Sequence, residues 1–397
     1  MKSPCINKRY VCSNRKEANP LSSLLHTLEG SEGVEKSNLF YLHLKKTARE
    51  KGIPLYGTFE LTPRCTLDCA MCYVHLKPGQ MHRSELTTKE WIDLSTQASQ
   101  AGMLQVNITG GECILHPGCK DIIQHLLNLG VSVSIFTNGT LIDEQWAQWI
   151  AERPIELVQI SVYGSSPEAY QTVTGSADAF YRVDHAIDLL KAKGIRLKLV
   201  ISTSTQLLPD FEALYAYCAS KDPTWIELSP NPFPAREETG RKAENYRMNV
   251  AETVSYYRMF RKARNLPPTL HEPLSDAEMD ALLETVEGVD EIPIEGVLCG
   301  AGSNTFAISW DGFMNPCNAL YWMKANPLTD GFAKAWEQTK ASVKAYRYPA
   351  KCKGCKLRRA CTICPGLHYK SNEEPSVLNP NQCNEVYQLV QQGLLHT

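Results

Sequence analysis

Thr62-Pro63-Arg64-Cys65-Thr66-Leu67-Asp68-Cys69-Ala70-Met71-Cys72-Tyr73 is the stretch on which the fold turns. It follows a short apolar run, residues 55–61, and carries three cysteines in the spacing C-x3-C-x2-C. Three thiolates supply three corners of a [4Fe–4S] cube and leave the fourth iron open to a small molecule. A zinc site is one rival, but zinc ligands usually come as paired C-x2-C units, and no fourth ligand stands nearby. Simple burial is the other, because free cysteine packs well in a core.

Beyond the triplet, short β-rich runs alternate with amphipathic stretches. The runs are residues 55–61, 104–109, 131–137, 157–162, 197–202 and 225–228. Thr87-Thr88-Lys89-Glu90 reads as a capping box opening a helix that carries Trp91, Ile92, Leu94 and Ala98 and stops at Gly102. Later helical patterns end at Gly130 and Gly194, which suit C-terminal caps. Strands alternating with helices predict parallel βαβ units in an α/β fold, a partial (β/α)6 TIM-like barrel. Active sites of such folds lie at the C-terminal ends of the strands. The triplet follows the first strand and therefore falls on that rim. Gly110-Gly111-Glu112 follows the second strand on the same rim. Paired glycines let backbone approach a ligand, and the carboxylate can accept hydrogen bonds from an ammonium group.

The chain has 397 residues, 43 % of them apolar and 21 % charged, enough for one large domain and a smaller one. Lys and Arg number 41 against 43 Asp and Glu, so a net charge of −2 gives no basic field for nucleic acid or an acidic membrane. No apolar run approaches the ~20 residues of a membrane span, and residues 1–15 are polar and basic, unlike a signal peptide. A cytoplasmic location is expected. In that reducing compartment 15 cysteines point to metal ligands rather than disulfides. The expected domains are an N-terminal extension (1–55), the barrel (56–235), a helical bridge (236–296) and a cysteine-rich C-terminal domain (297–397). Within the bridge, residues 250–264 and 275–287 show helical patterns, and the charged run 236–247 reads as a solvated loop. Trp91, Trp146 and Trp149 read as core, and His75, His82 and His116 as surface or hydrogen-bonding residues.

The cysteine triplet, the Gly-Gly-Glu, Thr137-Asn138-Gly139 after the third strand and Ser161 on the fourth together resemble the radical S-adenosylmethionine (SAM) superfamily. The resemblance covers about residues 56–230. It implies that Cys65, Cys69 and Cys72 hold a [4Fe–4S] cluster whose open iron chelates SAM, which is cleaved reductively to a 5′-deoxyadenosyl radical. It also implies that Glu112, with Gly110 and Gly111, meets the SAM amino group, and that Ser161, Asn138 and Ser202 face its ribose or carboxylate. Met71 stands where the family usually has an aromatic residue, and Cys113 where a proline commonly follows the Gly-Gly-Glu. Cys113 is thus a candidate hydrogen-atom donor, against the plainer reading of a buried structural thiol.

The C-terminal cysteines resemble the SPASM extension of peptide-modifying radical SAM enzymes over about residues 297–390. Cys299 and Cys317 flank Trp310-Asp311-Gly312, and Cys352-x2-Cys355-x5-Cys361-x2-Cys364 and Cys383 follow. That resemblance implies one or two auxiliary [4Fe–4S] clusters. Cys352, Cys355, Cys361 and Cys383 would complete one. Cys299, Cys317 and Cys364 would leave the other a thiolate short, its fourth position open, held by a substrate thiolate, or filled by Cys5 or Cys12 folding back. A zinc ribbon is the alternative for the whole extension.

The implied activity is modification of a peptide or protein, first of all oxidative cross-linking through thioether or carbon–carbon bonds. Oxidation of a protein side chain, as by sulfatase-maturating enzymes, and epimerisation of a peptide residue are the alternatives within the same chemistry. A non-catalytic iron–sulfur or zinc protein is the alternative from another class. Expected partners are the substrate and an electron donor such as a flavodoxin or ferredoxin. A separate leader-peptide-binding protein is expected too, because residues 1–55 are too short and unpatterned for a winged-helix domain.

Overall fold

The computed structural model describes residues 36–396, apart from residues 78, 230–231, 286–295, 359, 362–363 and 368–379. The apolar runs form strands β1 (Tyr56–Glu60), β2 (Gln105–Thr109), β3 (Ser132–Thr137), β4 (Leu157–Val162), β5 (Leu197–Ser202) and β6 (Trp225–Ser229). All pair in parallel in the spatial order β6-β5-β4-β3-β2-β1, the arrangement expected of a partial (β/α)6 barrel. Alternate residues of these strands, among them Val106, Ile108, Val133, Ile135, Val158 and Ile160, are buried. Their neighbours Asn107 and Gln159 point to the opposite face, as the two-residue period of a strand requires.

The helices between strands start and stop where the sequence places its caps. Thr87 Oγ1 accepts from the Glu90 N–H at 3.3 Å, and the Thr87 N–H donates to Glu90 Oε2 at 2.7 Å, opening the helix Thr88–Gln100. Gly102, Gly130 and Gly194 follow their helices with φ of +113°, +75° and +69°, conformations that a side chain would strain. Trp91 is fully buried, its ring centre 5.1 Å from that of Phe59 on β1. Trp146 and Trp149 are instead only partly buried, with Lys120 lying 4.4 Å over the first ring and Arg153 4.1 Å over the second.

The sheet does not end at β1. Strand β7 (Thr305–Ile308) pairs in parallel with β1, Tyr56 opposite Thr305 and Phe59 opposite Ile308, and β8 (Met314–Asn315) turns back antiparallel on β7. The helix Phe332–Ala345 then packs under this extension, with Trp336 Nε1 donating to the Gly52 carbonyl at 2.6 Å and Phe306 against Phe332. The first strands of the cysteine-rich region are therefore continuous with the barrel sheet.

A second apolar core gathers Tyr346, Tyr348, Cys352, Ala360, Cys361, Leu389 and Val390 around Met279 of the bridge. The bridge helices Val250–Ala263 and Asp276–Thr285 lie where the sequence expects them. The last helix, Pro380–Gln391, is pinned to the bridge by Leu274 N–H to Gln391 O at 2.8 Å. Among the described residues no helix is long and apolar enough to cross a membrane.

Trp91→Ala removes the largest fully buried side chain beneath β1. It should cost about 3–5 kcal/mol in a urea titration of the unloaded protein; a loss below ~1 kcal/mol would contradict this packing.

Candidate active site

β1 delivers the chain into the loop that carries Cys65, Cys69 and Cys72, and the loop after β2 fixes its entrance. Leu61 N–H donates to Thr109 O at 2.8 Å, Gly111 N–H to Thr62 O at 2.7 Å and Glu112 N–H to Arg64 O at 2.7 Å. A Cβ on Gly110 would stand 2.5 Å from Thr62 O, and one on Gly111 would stand 2.7 Å from Pro63 O and nearer still to Arg64 O. The glycine pair is needed because two backbones touch here, and the backbone approached is that of the cysteine loop itself. Arg64 is held in turn by Glu85, with Nε at 2.7 Å and Nη2 at 2.9 Å from its carboxylate oxygens.

Glu112 is fully buried and joins three loops. Its carboxylate accepts from Thr137 Oγ1 at 2.8 Å on both oxygens and from the Asn138 N–H at 2.8 Å. Burial pushes its pKa up, against the pull of these hydrogen bonds. Asn138 carries the tie onward. Its Nδ2 donates to Cys65 Sγ at 3.4 Å and to Thr66 Oγ1 at 3.0 Å, and its Oδ1 accepts from the Thr140 N–H at 2.9 Å. The structure thus sets Asn138 against the cysteine loop, a position that resemblance alone did not specify.

The three thiols share one site. Burial pushes the Cys65 thiol up to about 12, and Cys72 and Glu112 push it the same way. Cys69 is raised by burial and then by both other cysteines. At Cys65 the Leu67 N–H offsets this, donating to Sγ at 3.4 Å. The His75 N–H donates to Cys72 Sγ at 3.3 Å. Tyr163, just past β4, lies within the electrostatic reach of all three, beside Ser161. Ser202 closes β5 on the same rim, opposite Ser229 of β6. Cys113 lies in the core, its thiol 3.7 Å from Glu112 Oε1 and 3.6 Å from Phe136 O, with Cys119 as a further partner. His116 is structural, bonded to Leu86 O at 2.9 Å and to the Gly118 N–H at 3.1 Å.

The charged run 236–247 is not a solvated loop. Arg236 is 7 % exposed and donates from Nη2 to Glu60 Oε2 at 2.6 Å, across the gap between the end of β6 and the end of β1. Tyr73 donates to Glu60 at 3.4 Å and accepts from Asn318 Nδ2 at 3.0 Å, joining the residue after Cys72 to the residue after Cys317. Arg241 donates from Nη1 to the Cys69 carbonyl at 2.5 Å and pairs with Asp68. It also lowers the Cys69 thiol against the larger effect of burial. A small cleft, about 20 Å³ in volume, opens beside these contacts, lined by Val74, Leu76, Arg236, Trp310, Asn315 and Lys324. The one local signal for the buried pair was Glu60, a carboxylate at the end of an otherwise apolar strand.

The C-terminal cysteines fall into two sets. Cys317 feels Cys364 and Cys299, and Cys364 feels Cys299. Cys361 feels Cys383, Cys355 and Cys352. Cys5 and Cys12 lie outside the described residues, and the described cysteines are all free thiols. No three His, Cys, Asp or Glu side chains among the described residues converge tightly enough for a single metal ion.

Residues 59–209 match the family model described as the Radical SAM superfamily. Over 125 residues the chain is 34 % identical to the PqqA peptide cyclase of Streptomyces rochei, covering 32 % of this chain and 34 % of that protein. Over 305 residues it is 25 % identical to the antilisterial bacteriocin subtilosin biosynthesis protein AlbA of Bacillus subtilis (strain 168), covering 74 % of this chain and 62 % of that one. The chain thus matches less than two thirds of the length of either relative. The crystal structure of SuiB from Streptococcus suis superposes on 91 % of this chain and 86 % of its own with a TM-score of 0.62 at 18 % identity, which shows a shared fold. SuiB has also been solved bound to its precursor peptide SuiA and bound to S-adenosylmethionine.

Gly111→Ala must push the Thr62–Arg64 backbone aside. It should lower stability by about 1–3 kcal/mol and cut the iron bound per chain, as read by colorimetric iron analysis; unchanged iron would refute the role given to this contact. Arg236→Met leaves Glu60 buried without a counter-charge. A loss of about 3–5 kcal/mol by denaturant titration is expected, and Glu60→Gln in the same chain should recover part of it.

Proposed function

We propose that this chain, whose residues 59–209 form a radical SAM domain, cleaves SAM reductively and uses the resulting radical to modify a peptide. The observation that carries this reading is the convergence of Cys65, Cys69 and Cys72 on one rim of a parallel sheet, gripped from below by the Gly-Gly-Glu loop. Cys65, Cys69 and Cys72 would hold the first cluster, Cys352, Cys355, Cys361 and Cys383 a second, and Cys299, Cys317 and Cys364 a third with an open fourth position. When bound, the first cluster supplies the electron that breaks a carbon–sulfur bond of SAM, and the auxiliary clusters suit the onward passage of electrons that an oxidation releases.

The protein's own groups prepare the site. Amide donors from Leu67 and Asn138 favour the thiolate form of Cys65 against the effect of its burial, and the His75 N–H donates to Cys72 Sγ. Arg241 adds positive charge beside Cys69. Gly110, Gly111 and Glu112 fix the loop's position, while Ser161, Ser202 and Tyr163 remain on the rim for the nucleoside and carboxylate of SAM. Cys113, enclosed among Glu112, Phe136 and Cys119, takes the role of a structural thiol.

A peptide substrate is supported by the printed roles of the two curated relatives and by the peptide complex of the structural neighbour. Oxidative cross-linking through thioether or carbon–carbon bonds is the reaction assigned. An external one-electron donor completes the system, with a flavodoxin or ferredoxin the suitable class. A separate leader-peptide-binding protein fits the same scheme.

The test is anaerobic reconstitution with iron and sulfide, then reduction in the presence of SAM. The expected product is 5′-deoxyadenosine, abolished by Cys65→Ala, Cys69→Ala or Cys72→Ala. With a short peptide encoded beside this chain, mass spectrometry should show a loss of two hydrogens. One deuterium gained from heavy water without net loss would indicate epimerisation instead. Zinc in place of iron, and no 5′-deoxyadenosine, would sink the enzyme reading.

A further inference from the structure

Arg358 is a buried cation that meets a tyrosine ring but no counter-charge among the described residues. It is 2 % exposed, and none of its Nε, Nη1 and Nη2 atoms has a hydrogen-bond acceptor among the described residues. Its backbone sits on the turn between Cys355 and Cys361, its N–H donating to Cys355 O at 3.0 Å. The guanidinium lies 4.4 Å from the centre of the Tyr348 ring. A ring face covers a flat cation but leaves the in-plane N–H fork unused.

Burying a guanidinium with no counter-charge costs several kcal/mol. Most buried arginines avoid that cost by pairing with a carboxylate, as Arg236 does with Glu60 in this protein. Arg358 instead stands on the turn between two of the four cysteines, and the Tyr348 ring it lies over shares one buried core with Cys352 and Cys361. A [4Fe–4S] cube with four thiolate ligands carries net negative charge, and positive charge and N–H donors near its sulfurs raise its reduction potential.

We propose that Arg358 is the built-in counter-ion of the cluster held by Cys352, Cys355, Cys361 and Cys383. Its guanidinium fork donates into the sulfurs of that site and raises the potential at which the site accepts an electron. Arg358 is a positioning residue, and the assignment rests on the reading above that these four cysteines hold a cluster. Lysine supplies charge but not the planar fork, so the two effects are separable by substitution.

The experiment uses the full chain with Cys65→Ala, Cys69→Ala and Cys72→Ala, so that only the C-terminal sets take up iron. Its signal is assigned by what Cys352→Ala removes, and its potential is measured by a redox titration followed by electron paramagnetic resonance. Arg358→Met should make that site about tenfold harder to reduce, a downward shift of roughly 59 mV for one electron. Arg358→Lys should recover part of the shift, and it carries the comparison alone if the methionine variant takes up no iron. The melting temperature of the metal-free Arg358→Met protein should equal or exceed that of its parent, because the substitution removes a buried charge that in that state has no counter-ion among the described residues. An unchanged potential together with a lower metal-free melting temperature would overturn the proposal and make Arg358 a packing residue. A parent that binds no iron, or whose spectrum survives Cys352→Ala, would instead remove the cluster reading and this inference with it.

Discussion

The contact between the Gly110-Gly111 backbone and the Thr62–Arg64 backbone governs the site. Three ligands on one short loop are useful only if that loop cannot drift. The fold achieves this by pressing it against the loop after the next strand, with no side chain between them. Glu112 and Asn138 then extend the same tie to the loop after β3 and back to Cys65. Neighbouring parallel strands end side by side, so three successive loops can be joined by hydrogen bonds of ordinary length. The rigidity of the cysteine loop is a property of this joint rather than of the loop's own sequence.

A second layer of restraint comes from cations supplied by the segment after β6. Arg236 crosses to Glu60, and Arg241 to Asp68 and the Cys69 carbonyl. Buried ion pairs add little net stability, because desolvation offsets most of the attraction. They are directional, however, and a guanidinium between two strand ends fixes their separation. With Tyr73 bonded to both Glu60 and Asn318, the pair also sets the spacing between the Cys72 loop and the Cys317 loop.

Much of this was legible in the sequence because the signals are local. The six barrel strands lie within a residue or two of their apolar runs, since β-rich runs between helix caps and glycines carry their own boundaries. The cysteine triplet and the Gly-Gly-Glu were readable because their chemistry is compressed into a few adjacent residues. The long-range features were not. Nothing in residues 305–308 says that they will pair with residues 56–59, since a short apolar strand fits any parallel edge. Arg236 looked solvated because it stands among charges, and its partner lies at the far end of the barrel. Asn138 was readable as a rim residue, but its bond to Cys65 depends on the loop geometry set by Glu112. Arg358 sits among other basic residues in the sequence, and only burial distinguishes it.

The pairing of β7 with β1 bears on how the protein is made. Among the described residues β1 is the first strand of the sheet to leave the ribosome, and the strand that pairs with its outer edge, residues 305–308, follows only after the other barrel strands are complete. A bare parallel edge is a template for another chain, and contacts this distant in sequence form slowly. The nascent barrel therefore passes through a stage in which its most important strand is half-clothed, and the C-terminal segment acts as its late cover. Translation that stalled inside the bridge would release a chain with that edge exposed, a natural client for chaperones. The region that brings the second and third sets of cysteines is thus also what ends the sheet's vulnerability.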